Sequence, residues 1–421
     1  MEYVLLASLG GSSQVITETL WALMNPEKLI DPAHRKRSPV VPATVHLIST
    51  DYANPRHYSS VQARDAELTA KVRELFVQYG YPIPEIKIDP LLDPDSGVPL
   101  EDIRTQRDNV IYANRVTQVV KEYADSPNIS IHMSLAGGRK TMSSYDHSAM
   151  MFFGRVQDEM SHVLIEPASM ERAPQFWWPD QEDPLLVQVG EDEISTSSPI
   201  ARVDLINVPF VHLDVRLPKG VPPEALDHDK IVEFVEFERN QEAIIIDAER
   251  FCITVGATEV FLTPQQFAFF ALFAIARVQA WPGVGPSDEG EGHNASGWLH
   301  LRDFSHGVER DGKSRQNTRS LAVLRRLLDR KSDGAQHRDN NLMDQILGAC
   351  VGETDPTESD RSKLRRQIKN KIDSPFIQSV VLPQTYTGPN GVNIGLEIPA
   401  HRIKLMNFSD AELNSDYREK P

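Results

Sequence analysis

Two joints of one kind constrain this chain more than any other feature. In "VLLASLGGSSQVITETLWAL" an apolar run reaches Gly10-Gly11, passes Ser12-Ser13-Gln14 and becomes a helix-like pattern. In "ISIHMSLAGGRKTMSSYDHSAMMFF" Ile129, Ile131, Met133 and Leu135 alternate with Ser130, His132 and Ser134, and Gly137-Gly138 then leads into a second helix from Lys140. Alternation with period two makes a strand and recurrence near 3.6 makes a helix. A strand that turns through glycine into a helix, twice, points to a parallel sheet covered by helices.

The surrounding sequence repeats that rhythm. Strands are expected near Tyr3–Ser8, Thr44–Thr50, Glu85–Asp89, Asn128–Leu135 and His162–Glu166, and helices near Gln14–Leu23, Val61–Tyr79, Arg107–Tyr123 and Lys140–Phe153. The fold class is α/β and Rossmann-like, with ligands expected at the carboxyl ends of the strands. From Glu171 to Asp229 the text turns rich in proline and acid ("RAPQFWWPDQEDPLL", "LPKGVPPEALDHD"), which predicts irregular coverage and a linker. A chain of 421 residues calls for two domains at least, and we place them at 1–225 and 226–421.

The second domain opens on "VFLTPQQFAFFALFAIAR", in which Thr263 is the N-cap, Pro264 the first helical residue and Gln266 the partner in a capping box. A Gly- and acid-rich loop, "WPGVGPSDEGEGHNASG", and a helix over Asn341–Cys350 are expected next. A basic helix follows in "RSKLRRQIKNKI", with Arg361, Lys363, Arg365, Arg366, Lys369 and Lys371. The segments "FIQSVVL" and "VNIGLEI" flank Pro389-Asn390-Gly391 as a hairpin, so the order is that of a small α+β winged-helix-like domain.

Charge and cysteine content limit the chemistry. A formal net charge of -16 excludes coating nucleic acid by bulk electrostatics and makes any anion site a local one. With only Cys252 and Cys350 there is no disulfide framework and no cysteine metal site, which fits a reducing cytoplasm. The start "MEYVLLASLGG" reads as a strand rather than a signal peptide. The apolar run Phe267–Ala276 is about half of a bilayer span, so no membrane segment is expected.

Gly137 and Gly138 let backbone approach a ligand, and the helix start beyond them, with Arg139, Lys140 and Thr141, makes an anion site suited to phosphate. The alternative is an ordinary strand-to-helix turn with solvated cations. Arg139 separates Gly138 from Lys140, which breaks the Walker A spacing, and no GxGxxG precedes a suitably placed acid. Ser12 and Ser13 either bind a phosphate or base edge or cap their helix. A third polar cluster, "PLEDIRTQRDN", holds Asp102, Arg104, Thr105 and Asn109 before a helix. His132, His147, His293, His300 and His306 lack metal-ligand spacing, and no metal or cofactor is expected. Trp177-Trp178 either stacks on adenine or belongs to the core.

Taken in order, "LLASLGGSSQVITETLWAL", "PLEDIRTQRDN", "SLAGGRKTMSS" and "FFGRVQDEMSHVL" resemble the CARF (CRISPR-associated Rossmann fold) proteins, specifically the stand-alone CRISPR-associated ring nucleases. The resemblance covers roughly residues 1 to 180, and "FLTPQQFAFFALFAIAR" is more loosely similar to that family's C-terminal region. It implies a homodimer that binds a cyclic oligoadenylate, cyclic tetra-adenylate above all, across its two-fold axis. It also implies cleavage without metal, by attack of a ribose 2′-OH on the adjacent phosphorus, which leaves linear adenylates with a 2′,3′-cyclic phosphate. In the roles so implied, Lys140 stabilises charge, Arg139 grips a phosphate and Ser12 and Ser13 orient ribose or phosphate. Gly10, Gly11, Gln14, Thr17, Gly137, Gly138, Thr141, Asp102, Arg104 and Thr105 would line the pocket. Where that family reads Thr-Ser-Pro-Gln, this chain has Gly11-Ser12-Ser13-Gln14. Two rival functions stay open: a ligand-gated DNA-binding regulator using the basic helix, and a HEPN ribonuclease using Arg330 and His337.

Overall fold

The computed structural model describes residues 1–31, 37–55, 58–168, 170, 176–181, 186–189, 192–195, 202–217, 226–241, 243–281, 284–285, 293–294, 299–300, 323, 326–327, 357–388 and 391–413. They fall into two compact units, Met1–Arg216 with Leu226–Asp229, and Lys230–Pro421 with Leu217–Ala225.

In the first unit, strands and helices alternate: β1 (Glu2–Leu9), α1 (Gln14–Met24), β2 (Thr44–Ser49), α2 (Val61–Gln78), β3 (Glu85–Pro90), α3 (Gln106–Ala124), β4 (Ile129–Ser134), α4 (Lys140–Phe153) and β5 (Glu159–Glu166). A small hairpin, β6 (Leu186–Val189) and β7 (Asp192–Ser195), precedes β8 (Arg202–Asn207). The sheet runs β3-β2-β1-β4-β5-β8, five strands parallel and β8 antiparallel to β5, a Rossmann-like arrangement. The expected elements lie within a few residues of these bounds. The expectation of irregular chain from Glu171 to Asp229 is corrected, since that segment supplies a hairpin and the sixth strand. In "RVDLIN" only Val203, Asp204 and Leu205 are buried, too short a pattern to declare itself, and pairing with β5 completes it.

β1 is enclosed from Val4 to Leu9. Leu5, Ala7 and Leu9 pack with Leu20, Val72, Phe76 and Trp178, and each large aliphatic side chain so buried contributes about 2 kcal/mol. Trp177 and Trp178 are both buried, so the core reading of that pair holds and base stacking does not.

The second unit has its own core, built on the helix Pro264–Val278. Thr263 Oγ1 accepts from the Gln266 amide and Gln266 Oε1 accepts from the Thr263 amide, the expected capping box, and Phe267–Ala276 is buried throughout. Beside it lies a sheet that the sequence reading missed, ordered Thr258–Phe261, Cys252–Val255, Ile244–Asp247 and Ile403–Met406. Its strands are four residues each, too short for periodicity to reveal. The helix Thr357–Lys369 buries Leu364 and Ile368 and exposes Lys363, Arg365, Arg366 and Lys369, with Lys371 exposed just beyond. Gln384–Gly388 and Gly391–Gly395 form a hairpin about the expected turn, with Leu299–His300 as a third strand. The expectation that "FIQSVVL" is its first strand is corrected: Pro375–Val381 is a helix, begun by Pro375 and capped by the Ser374 hydroxyl, which accepts from the Ile377 amide.

The expected helix Asn341–Cys350, the pair Arg330 and His337, His306, Pro389 and Asn390 lie outside the described residues, as does most of the loop after Trp281. Among the described residues no helix is long and apolar enough to cross a membrane.

Candidate functional site

β1 and β4 are parallel neighbours in a register that pairs Ala7 with Ser134, so three residues further on each chain reaches its first glycine, Gly10 and Gly137. β1 leads through α1 to β2 on one side and β4 leads through α4 to β5 on the other. Chain departing in opposite directions opens a crevice at the carboxyl ends, the switch point where such sheets bind ligands.

The two glycine turns touch. A Cβ built on Gly10 would stand 3.0 Å from Gly138 Cα, and one on Gly137 would stand 1.9 Å from the Ser8 carbonyl oxygen. Gly138 also takes a φ of +73°, in the left-handed region that L side chains avoid. Backbone is therefore brought to the mouth of the crevice without intervening side chains.

Cations gather at the same mouth. Arg139 precedes α4, and its guanidinium forms a two-pronged ion pair with Asp102, Nε to Oδ1 at 3.0 Å and Nη2 to Oδ2. Arg104 Nε reaches Asp102 Oδ2 at 3.0 Å, and the Ile103 amide donates to Oδ1 at 2.8 Å. The Arg139 bond above all, helped by Arg104 against the cost of burial, pulls the Asp102 carboxyl down to about 2. Lys140 and Thr141 are exposed in the first turn of α4, and no described carboxylate pairs with Lys140. Three motifs far apart in sequence thus meet in space.

Not every expected residue faces the crevice. Thr17 is fully buried, and its hydroxyl lies 2.9 Å from the carbonyls of Gln14 and Trp177, a packing stitch rather than a ligand group. Thr105 Oγ1 accepts from the Asp108 amide as the N-cap of α3. Ser12 is exposed, whereas Ser13 is buried at the N-cap of α1 without a capping bond from its side chain. Gln14 is buried beside it, and both face Tyr58, whose hydroxyl burial pushes up and these neighbours oppose.

Two features escaped sequence reading because tertiary packing assembles them. One is Tyr52 after β2, whose ring lies against Gly11. The other lies under the glycine turns, where Ser8 Oγ is 2.5 Å from the Tyr112 hydroxyl and donates to Asp146 Oδ2 at 3.0 Å, while the Tyr112 hydroxyl donates to Asp146 Oδ1. When Asp146 is protonated, one of its oxygens donates to Ser8 or Tyr112 instead of accepting, and the hydroxyl so released donates across the Ser8–Tyr112 contact. Burial pushes its carboxyl up to about 7, against the hydrogen bonds from Tyr112 and Ser8. Among the described residues no three His, Cys, Asp or Glu side chains come together as metal ligands.

The family model described as CRISPR-associated protein NE0113 matches residues 12–239, just over half of the chain. No curated protein matches it. Among solved structures, Csm6 of Enterococcus italicus bound to cyclic hexa-2′-fluoro-hexa-dAMP is 16% identical, over 41% of this chain and 38% of that one, with a TM-score of 0.27. The match spans well under two thirds of that chain.

Proposed function

We propose that this chain, which belongs to the family of CRISPR-associated protein NE0113, binds a cyclic oligoadenylate between its glycine turns and cleaves the ring to linear adenylates. One observation carries the reading: the two Gly-Gly turns abut at the switch point of the sheet, where Arg139 and Arg104 share Asp102 and Lys140 stands exposed beside them. Close backbone approach with focused cations suits a ring of phosphates on a protein of net charge -16. In this reading residues 1–225 form the binding domain, and a two-fold pair of chains offers each cation twice to cyclic tetra-adenylate, a ring of matching symmetry.

The ribose 2′-oxygen bonds to the adjacent phosphorus, the bond to the 5′-oxygen breaks, and that oxygen leaves with a proton. The products end in a 2′,3′-cyclic phosphate. Lys140 stabilises the charge that builds on the phosphoryl oxygens, Arg139 exchanges Asp102 for phosphate, and exposed Ser12 orients the ribose from the other turn. Catalysis of this kind rests on in-line positioning and electrostatic preorganisation.

Incubation with cyclic tetra-adenylate in EDTA, followed by chromatography, tests the proposal. Linear product is expected, slowed on the order of a hundredfold by Lys140→Ala with thermal unfolding unchanged, since that side chain is exposed. Intact ring despite tight binding would remove the nuclease. It would favour a ligand-gated DNA-binding regulator, a reading supported by the exposed cations of Thr357–Lys369 and the contact of Arg365 with Gln384 of the hairpin at 3.4 Å. Residues 226–421 would then act as the winged-helix-like part.

A further inference from the structure

The loop after β2 leaves the sheet beside the first glycine turn, and its course is set from below. Arg64, fully buried in the first turn of α2, donates through Nη1 to the carbonyls of Thr50 at 3.3 Å and Tyr52 at 2.5 Å. Its Nη2 donates to the Ser49 hydroxyl at 2.6 Å and its Nε to Asp65 at 2.9 Å. A buried guanidinium costs several kcal/mol unless its donors are met, and here they are met largely by residues 49 to 52. The Asp51 amide donates to the Leu100 carbonyl at 2.7 Å, which ties the same loop to the segment leading to Asp102.

Tyr52 stands where these restraints converge. A Cβ built on Gly11 would lie 2.9 Å from its Cε1 and 3.5 Å from its Cδ1, so the ring edge rests on the first glycine turn. The ring is only partly buried, unlike Trp177 and Trp178. A partly buried aromatic side chain held beside the cations Arg139 and Lys140 is of the kind that stacks on a nucleobase at little entropic cost.

We propose that Tyr52 stacks on an adenine of the bound ring and so selects a purine next to the phosphate held at Arg139 and Lys140. This rests on the cyclic-oligoadenylate reading. Calorimetric titration of the full chain with cyclic tetra-adenylate, alongside Tyr52→Phe, Tyr52→Leu and Tyr52→Ala, tests it, with thermal unfolding recorded for each variant. Phe is expected to bind within about twofold of the unaltered protein, whereas Leu and Ala weaken binding by about ten- to a hundredfold. Leu as tight as Phe overturns stacking in favour of mere bulk. Phe as weak as Ala overturns it in favour of the hydroxyl. Full affinity in Ala overturns the role of Tyr52 alone, and no binding by the unaltered protein overturns the ligand class and this inference with it.

Discussion

Asp146 and His132 are both fully buried, and burial moves their carboxyl and imidazole in ways that oppose each other in the pH dependence of stability. Asp146 rises from the ordinary 3.8 to about 7, so between those values the folded chain holds a proton that the unfolded chain has released, and stability falls as pH rises. His132 is held down from 6.5 to about 4 and shares a 2.7 Å hydrogen bond between Nε2 and Ser161 Oγ. Between those values the unfolded chain holds the extra proton, and stability rises with pH. The two slopes partly cancel in the native protein. Asp146→Asn keeps the contacts to Ser8 and Tyr112, because an amide donates and accepts as the protonated acid does. Unfolding free energies from urea titrations of that variant should therefore climb between pH 4 and 6.5, by at most about 3 kcal/mol. A profile that matches the native one would refute the assignment. No sequence signal could have found this triad, whose members are separated by 104 and 34 positions.

At the scale of elements, the start of α4 was legible at Lys140 because Gly137 and Gly138 end the strand pattern abruptly. What the turn packs against was not legible. A Cβ on Gly137 meets the Ser8 carbonyl at 1.9 Å, a backbone atom that cannot swing aside, whereas one on Gly80 meets nothing within 4 Å and suffers only from a φ of +69°. Gly137→Ala should cost at least about 3 kcal/mol and Gly80→Ala about 1 kcal/mol in chemical denaturation, separating a clash from a conformational cost. Equal losses would mean that the turn relaxes. β8 stayed hidden for a related reason, since three buried residues make a strand only when β5 offers a ladder. The Thr263 cap was legible in full because it lies within four consecutive residues.

Across the whole molecule, two separate cores imply two unfolding events. Calorimetry should resolve two transitions, and cyclic tetra-adenylate at a hundred times its Kd should raise one of them by about 2.7 kcal/mol and leave the other in place. A single transition that moves as a unit would show the cores to be energetically coupled. By itself the sequence determined the α/β rhythm of the first unit, the two glycine turns, and an excess of acid that confines any anion site to a local cluster. Those properties are set by neighbours along the chain or by composition, which need no folding to read. Tertiary structure alone decided that the turns abut, that Asp102 crosses to Arg139, that Thr17 turns into the core and that Tyr52 comes to the mouth. Each of these depends on strand order, and parallel pairing across long crossovers brings together residues whose spacing in sequence says nothing of their distance.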